Sequence, residues 1–294
     1  MTINEALKNV IDLAYQSNLT EDEEFIFTES LSFLIEKTND PKYMMELGGY
    51  YYEKQNFDLA IKYYEMAALQ EYVPAYMGLG YIWYYGRTGE KDYKKAFEYY
   101  EKARAKGDPI SAYKVADMYK NGYYVEKDYE RYKKIITELY DEHKDDISAF
   151  SIIPEIYTRL AKIKIEEGKN DQARNLLEEA KETLAERITM NNFFGNFTIM
   201  KWLIKDLYKV KEFDPACFDF YDLYFVLETP HKISFVYDDD KYEVESTLED
   251  GGIVIRFGKT WYRDIDDFMK KANIDGENLS TLYYELENFQ IEEK

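Results

Sequence analysis

Asp58–Ala67 reads DLAIKYYEMA, and Lys94–Ala103 reads KKAFEYYEKA. Shifted by 36 residues the two superpose: Phe57 falls on Tyr93, Ala60 on Ala96, Tyr63-Tyr64-Glu65 on Tyr99-Tyr100-Glu101, and Ala67 on Ala103. The same shift again brings Tyr129 under Tyr93 and Leu139 under Ala103, in YERYKKIITEL. Self-similarity at such a period marks stacked units that cannot bury their apolar faces alone. Each of these helical segments is preceded by another: YMMELGGYYYE from Tyr43, AYMGLGYIWYY from Ala75 and SAYKVADMYKN from Ser111. Each leading segment follows a proline, at Pro41, Pro74 and Pro109. Proline suits a helix start, where its missing N–H would have had no intrahelical acceptor.

The small residues carry the packing. Gly48 lies 12 residues before Ala60, which lies 7 before Ala67. Ala161, Ala173 and Ala180 repeat that spacing in LAKIKIEEGKNDQARNLLEEA, with a turn at Gly168-Lys169-Asn170-Asp171 and Asp171 as the expected N-cap. Seven residues is about two helical turns, so each alanine pair shares a face. A small residue on the first helix then faces small residues on the second, and the two helices approach closely.

On these residues, segments 41–73 and 154–187 resemble tetratricopeptide repeats, and segment 74–108 resembles the related Sel-one-like repeat. In the latter, Gly80 to Ala96 is 16 residues rather than 12, and the extra length sits in the turn YYGRTGEKDY. Segment 109–142 repeats the pattern more weakly: Asn121-Gly122 and Lys127-Asp128-Tyr129 match, while Tyr132 and Leu139 replace the small residues. The resemblance implies a mainly α protein, a helix-turn-helix array of the α-solenoid kind. Segments 3–16 and 22–37 have helical apolar spacing and form an N-terminal pair that covers the open face of the first repeat. Thr20-Glu21-Asp22-Glu23 has the form of a capping box. A further helix is expected over Phe197–Val210 after a Gly195/Asn loop, with an irregular join over 141–153.

From about Pro230 the period changes. His231–Tyr237, Tyr242–Ser246 and Ile253–Phe257 alternate apolar and polar, as half-buried strands do. Asp238-Asp239-Asp240 and Glu249-Asp250-Gly251-Gly252 read as hairpin turns, and Thr260–Tyr262 as a fourth short strand. Helices are expected at Ala216–Leu227, Ile265–Ala272 and Leu279–Asn288. The domain reading is therefore an array over 1–212 (a helical pair at 1–40, three repeats over 41–142, a further repeat and helix over 143–212), then an α+β module with an antiparallel sheet over 213–294.

Composition limits the function. The chain has 294 residues and a formal net charge of −20, with 20 Asp/Glu against 8 Lys/Arg from Phe213 onward, a net −12, and −8 in the first 212 residues. A phosphate backbone or an anionic membrane needs a basic face, so neither nucleic acid nor membrane is an expected partner. The N-terminus has no basic region followed by an apolar one, and a single cysteine, Cys217, suits a reducing compartment; the expected location is cytoplasmic. Two isolated histidines, His143 and His231, and one cysteine leave no zinc-type cluster and no nucleophile–histidine pairing, and no phosphate-binding glycine motif is present. No metal, cofactor or catalytic residue is expected. Asp238-Asp239-Asp240 lacks the alternating spacing of a calcium loop, and Asp264, Asp266 and Asp267 read as a helix cap.

Tyrosine is the unusual residue, with 31 copies. On second helices, Tyr63, Tyr64, Tyr99 and Tyr100 read as packing between units. The resemblance implies that first helices line a concave surface, whose inward positions here are Met45, Tyr52, Met77, Tyr81, Tyr84, Tyr85 and Met118. Methionine and tyrosine suit an adaptable peptide-binding surface. Family members that grip acidic chaperone tails with a carboxylate clamp carry lysines and asparagines there; Gly49 and Tyr81 stand at the first two asparagine positions, which argues against that ligand. The expected function is a non-catalytic scaffold or adaptor for a protein or peptide partner. The alternatives are an enzyme with a carboxylate-based site in the C-terminal module, and a regulatory protein whose C-terminal module masks the groove.

Overall fold

The computed structural model describes residues 1–294 except 15, 17, 18, 147, 149, 150, 191, 192, 293 and 294. Parts of three expected features lie outside the described residues: the end of segment 3–16, the join over 141–153, and the asparagines before Gly195. The chain forms two compact units, Met1–Ile135 and Ile136–Lys294. The domain boundary read from the sequence after residue 212 falls inside the second.

In the first unit, helices α1 (Ile3–Leu13) and α2 (Glu21–Thr38) form the N-terminal pair. Both begin with a capping box, Thr20/Glu23 as expected and Thr2/Glu5 in addition, so each start satisfies two otherwise orphaned N–H groups. Ala6, Val10 and Leu13 pack with Phe27, Leu31 and Leu34 onto Leu47 of the first repeat, burying its open side. Three helix pairs follow: α3 (Pro41–Glu53) with α4 (Phe57–Ala68), α5 (Val73–Tyr85) with α6 (Tyr93–Arg104), and α7 (Pro109–Asn121) with α8 (Tyr129–His143), whose last residues enter the second unit. Proline occupies the first or second position of α3, α5 and α7, and Asp40 and Asp108 cap two of them.

The close approach within the first two of these pairs is set by glycine against tyrosine. A Cβ on Gly48 would lie 2.5 Å from Cδ1 of Tyr64, and one on Gly80 would lie 2.6 Å from Cδ1 of Tyr100. Real side chains do not approach so closely, so each glycine provides the flat bed on which a ring lies. The opposite edge of the Tyr64 ring reaches Gly78 of the next repeat, where a Cβ would lie 3.0 Å from Cε2. Tyr64 thus fills the gap inside one repeat and the gap to the next. The expected small-on-small contact is present as a smaller part of this seam, since Ala60, Ala67, Ala96 and Ala103 are fully buried.

In the second unit, α9 (Ile153–Glu166) pairs with α10 (Asn170–Met190), tied by Arg187 to Glu155 at 2.8 Å. Helix α10 begins one residue before Asp171, which lies inside it. Helix α11 spans Phe194–Leu207, so Gly195 is helical; a Cβ there would lie 2.5 Å from the ring of Phe193, which takes up the space the glycine leaves.

The sheet has the order β4-β3-β2-β1-β7, antiparallel throughout: β1 (Lys232–Tyr237), β2 (Asp240–Glu249), β3 (Gly252–Phe257), β4 (Thr260–Tyr262) and β7 (Glu287–Glu292). The first four strands and both hairpins are where the alternation places them. Asp238 and Asp239 both have positive φ, as a two-residue hairpin turn requires. Helix α13 (Ile265–Lys271) is capped by Asp264 and lays Phe268 against Phe257 and Tyr262.

Two expected helices are absent. Ala216–Leu227 yields only a 3-10 turn (Phe220–Asp222) and the short α12 (Leu223–Val226), because the chain is pulled inward there: Lys181 bonds Asp219 at 2.7 Å and Asp222 at 2.8 Å. Over Leu279–Asn288 the leucines at 279, 282 and 286 are buried at helical spacing, yet the chain runs through turns into β7. The carbonyl of Ser280 accepts the Tyr221 hydroxyl at 3.1 Å instead of a helical N–H, and Phe289 and Ile291 continue the sheet beside β1. Two short strands, β5 (Asn273–Ile274) and β6 (Glu277–Asn278), form a separate ribbon.

Candidate partner-binding site

The first helices of the first unit place Tyr52 on α3 and Tyr81, Tyr84 and Tyr85 on α5. Tyr52 meets Tyr81 edge to face with centroids 6.2 Å apart, and Tyr81 lies 4.4 Å from Tyr85. Four of the seven expected residues are therefore brought together across two repeats. Their exposures differ. Tyr85 is 40% exposed, and Tyr52 and Tyr81 are half-buried with one side to solvent. Tyr84 belongs to the interior of its repeat, between Tyr93 at 5.7 Å, Tyr100 at 6.2 Å and Tyr123 at 6.1 Å. Burial pushes its hydroxyl well above the usual tyrosine range, and nearby Asp117 pushes it further.

The methionines contribute less to this face than their spacing implies. Met45 packs half-buried against Ala60, Tyr64, Leu79 and Ile82, holding α3 to α5. Met77 is half-buried. Met118 is completely buried, so its side chain is core and presents nothing to a partner. The turn from Met77 to Met118 positions is not an equivalent step: Met118 follows Ala116, the counterpart of Gly80, by two residues, which rotates it toward the interior.

Two cations complete the cluster, and neither was singled out from the sequence. The guanidinium of Arg87 lies 5.9 Å from the ring centroid of Tyr52, 5.7 Å from Tyr81 and 5.5 Å from Tyr85. Burial acts to lower its pKa, but the charges and hydrogen bonds of Tyr52 and Tyr81 outweigh burial and raise it. On the other side, Lys114 of α7 donates to the Tyr85 hydroxyl at 3.0 Å and lies 5.2 Å from that ring, 5.5 Å from Tyr84 and 5.9 Å from Tyr81. Rings that carry a negative face attract such cations. The Tyr81–Tyr85 pair is thus bracketed by positive charge.

The local fold explains the placement of Arg87. Helix α5 ends at Gly86, whose φ of +64° is left-handed, and the Arg87 N–H returns to the Ile82 carbonyl at 3.0 Å. A Cβ on Gly86 would meet the Lys91 nitrogen at 2.8 Å, so the long turn that follows fits only glycine here. Arg87 also lines an open cleft of about 420 Å³ with Lys54, Gln55, Asn56, Phe57, Asp58 and Thr88. A periodic reading passes over this arginine because Gln55 and Tyr123 hold the equivalent positions in the neighbouring repeats.

The comparisons agree with this architecture. The Sel1 repeat model matches residues 41–72, 73–108 and 109–131, the first helix pair included. A Sel1 repeat protein from Oxalobacter formigenes is similar in structure over 71% of this chain and 84% of its own, with 21% identity and a TM-score of 0.50. A protective antigen of uropathogenic Escherichia coli strains, displaying an SLR fold, aligns over 65% of this chain and 41% of its own, at 20% identity and a TM-score of 0.44. No protein of curated function matches. Repeats of this class commonly mediate protein–protein interaction. Among the described residues, no helix is long and apolar enough to cross a membrane, and no group of three or more His, Cys, Asp or Glu stands close enough to hold a metal ion.

Proposed function

We propose that the protein is a non-catalytic scaffold that binds a partner protein or peptide on the first-helix face of its Sel1 repeats, at Tyr52, Tyr81 and Tyr85. The observation that carries this reading is the tyrosine cluster itself, which joins two repeats and is held in a fixed arrangement by Arg87 and Lys114. Rings with few rotatable bonds, already ordered before binding, offer broad contact at small entropic cost. Met45 packs in the same cluster as Tyr52, and Tyr84 meets Tyr85 edge to face at 5.0 Å.

Affinity capture from cell extract with the full chain, compared with Tyr81→Ala and Tyr85→Ala, tests it. The expected result is a partner recovered by the unaltered chain and lost with both variants, while their circular dichroism stays unchanged. A partner retained by both variants overturns the assignment of this face. Tyr84→Ala is a poor test, since it removes packing from the repeat interior.

A further inference from the structure

Among the described residues, Arg104 pairs with Glu101, Arg174 with Asp171, Arg187 with Glu155, Arg256 with Glu245 and Arg263 with Asp264. Arg87 does not, although the chain has 58 acidic residues to draw on. Among the described residues, its partners are tyrosines alone. Asp58 lines the same cleft and forms no ion pair with it. A guanidinium presents five N–H donors in a planar fork suited to a carboxylate, and contact with tyrosine rings does not use that capacity.

We propose, on the reading of this face given above, that its ligand is an acidic peptide segment: one carboxylate pairs with Arg87 at the cleft, and the chain of the peptide crosses Tyr81 and Tyr85 toward the positive charge of Lys114. Two features support it. Arg87 is preorganised by the Gly86 turn and by the rings of Tyr52, Tyr81 and Tyr85, so little freedom is lost when an anion binds. The rings beneath the cation exclude water from one side of the fork, which strengthens a charge-assisted hydrogen bond. Acids also stand near the face: Asp58 in the cleft, Asp117 near Tyr84, Glu53 next to Tyr52, and Glu90, whose backbone approaches Gly86.

The net charge of −20 favours a basic partner at long range. At physiological ionic strength such a field decays over roughly 8 Å, so groups in direct contact decide the local preference. More than half of that charge also lies beyond Phe213.

A phage-displayed library of random dodecapeptides, panned on the full chain, separates these possibilities. Peptides enriched in aspartate and glutamate over the input are expected. Synthetic copies of them should bind about tenfold more weakly to Arg87→Gln, with partial recovery in Arg87→Lys, where the charge remains and the fork is lost. Lys114→Gln should give a smaller loss. Recovered peptides that are neutral or basic, or acidic ones that bind Arg87→Gln as well as the unaltered chain, overturn the acidic ligand. If such peptides still depend on Tyr81 and Tyr85, the face itself stands. If no recovered peptide depends on either tyrosine, both the ligand and the face are wrong.

Discussion

Gly80 and Tyr81 are neighbours on helix α5, yet they open onto two regions governed by different physics. Gly80 faces the seam between α5 and α6, where Tyr100 lies 1% exposed against it. Tyr81, turned about 100° around the helix axis, faces the outer side of the repeat with Tyr52, Tyr85 and Arg87. The seam repeats in Gly48 with Tyr64; the cation cluster does not repeat. What recurs with the period builds the array, and what departs from it makes the surface particular to this chain.

The comparison breaks most visibly at the seam. Tyr100→Ala leaves a cavity under α5 and should cost about 3–5 kcal/mol, the usual range for a large buried ring. Gly80→Ala should cost about 1–3 kcal/mol, because the new Cβ, 2.6 Å from Cδ1 of Tyr100, forces that ring out of its place. Gly49→Ala is the control. Its Cβ would meet only the Tyr64 hydroxyl at 4.0 Å, and alanine favours a helix over glycine by up to about 1 kcal/mol, so the variant should be neutral or stabilised. Urea denaturation followed by far-ultraviolet circular dichroism measures all three. Equal losses at Gly49 and Gly80 would remove the distinction between seam and surface.

The same division explains what could be read from the sequence. The 36-residue shift, the prolines and the spaced small residues made the helix pairs legible, because each reports a backbone requirement local to one repeat. Alternation did the same for β1 to β4. The elements that escaped are held by distant partners: Lys181 draws in residues 219–222, and Tyr221 takes the Ser280 carbonyl. At the candidate site, Tyr52, Tyr81 and Tyr85 were legible from their helical positions. Arg87 was hidden because the equivalent positions of the neighbouring repeats hold Gln55 and Tyr123, and Lys114 reaches its place only because α5 and α7 stand in consecutive repeats. Met118 misled because its exposure depends on a rotation of two residues past the small position.

A smaller effect should follow at the turn that joins the two regions. Gly86→Ala adds a Cβ 2.8 Å from the Lys91 nitrogen at a left-handed φ of +64°. The strain alone costs about 1–2 kcal/mol. The clash also displaces the start of the turn, and with it Arg87, so binding at the tyrosine face should fall more than the loss of stability explains. Peptide affinity measured at a temperature where the variant remains folded separates the two. Unchanged affinity would show that Arg87 does not depend on this turn for its position.

The smallest expected effects are titrations, and they distinguish tyrosines by neighbour. Burial pushes Tyr50 up to about 12, aided by its hydrogen bond to Glu24 and by the Glu24 charge. Its folded pKa lies above the unfolded value of about 10, so the native state holds the proton more tightly. Its contribution is present below pH 10 and is lost as pH rises through 12. Tyr52 is also raised by burial, but there Arg87 acts in the opposite sense and lowers it. Removing the cation should therefore move the two residues differently. In Arg87→Gln the Tyr52 midpoint should climb further while Tyr50 stays where it is, and in Glu24→Gln Tyr50 should fall while Tyr52 stays. Carbon-13 resonances of the labelled tyrosine rings, followed through alkaline pH, report each midpoint. A Tyr52 midpoint indifferent to Arg87 would mean that the guanidinium does not sit over that ring in solution, and the surface would lose the charge that distinguishes it from the seam.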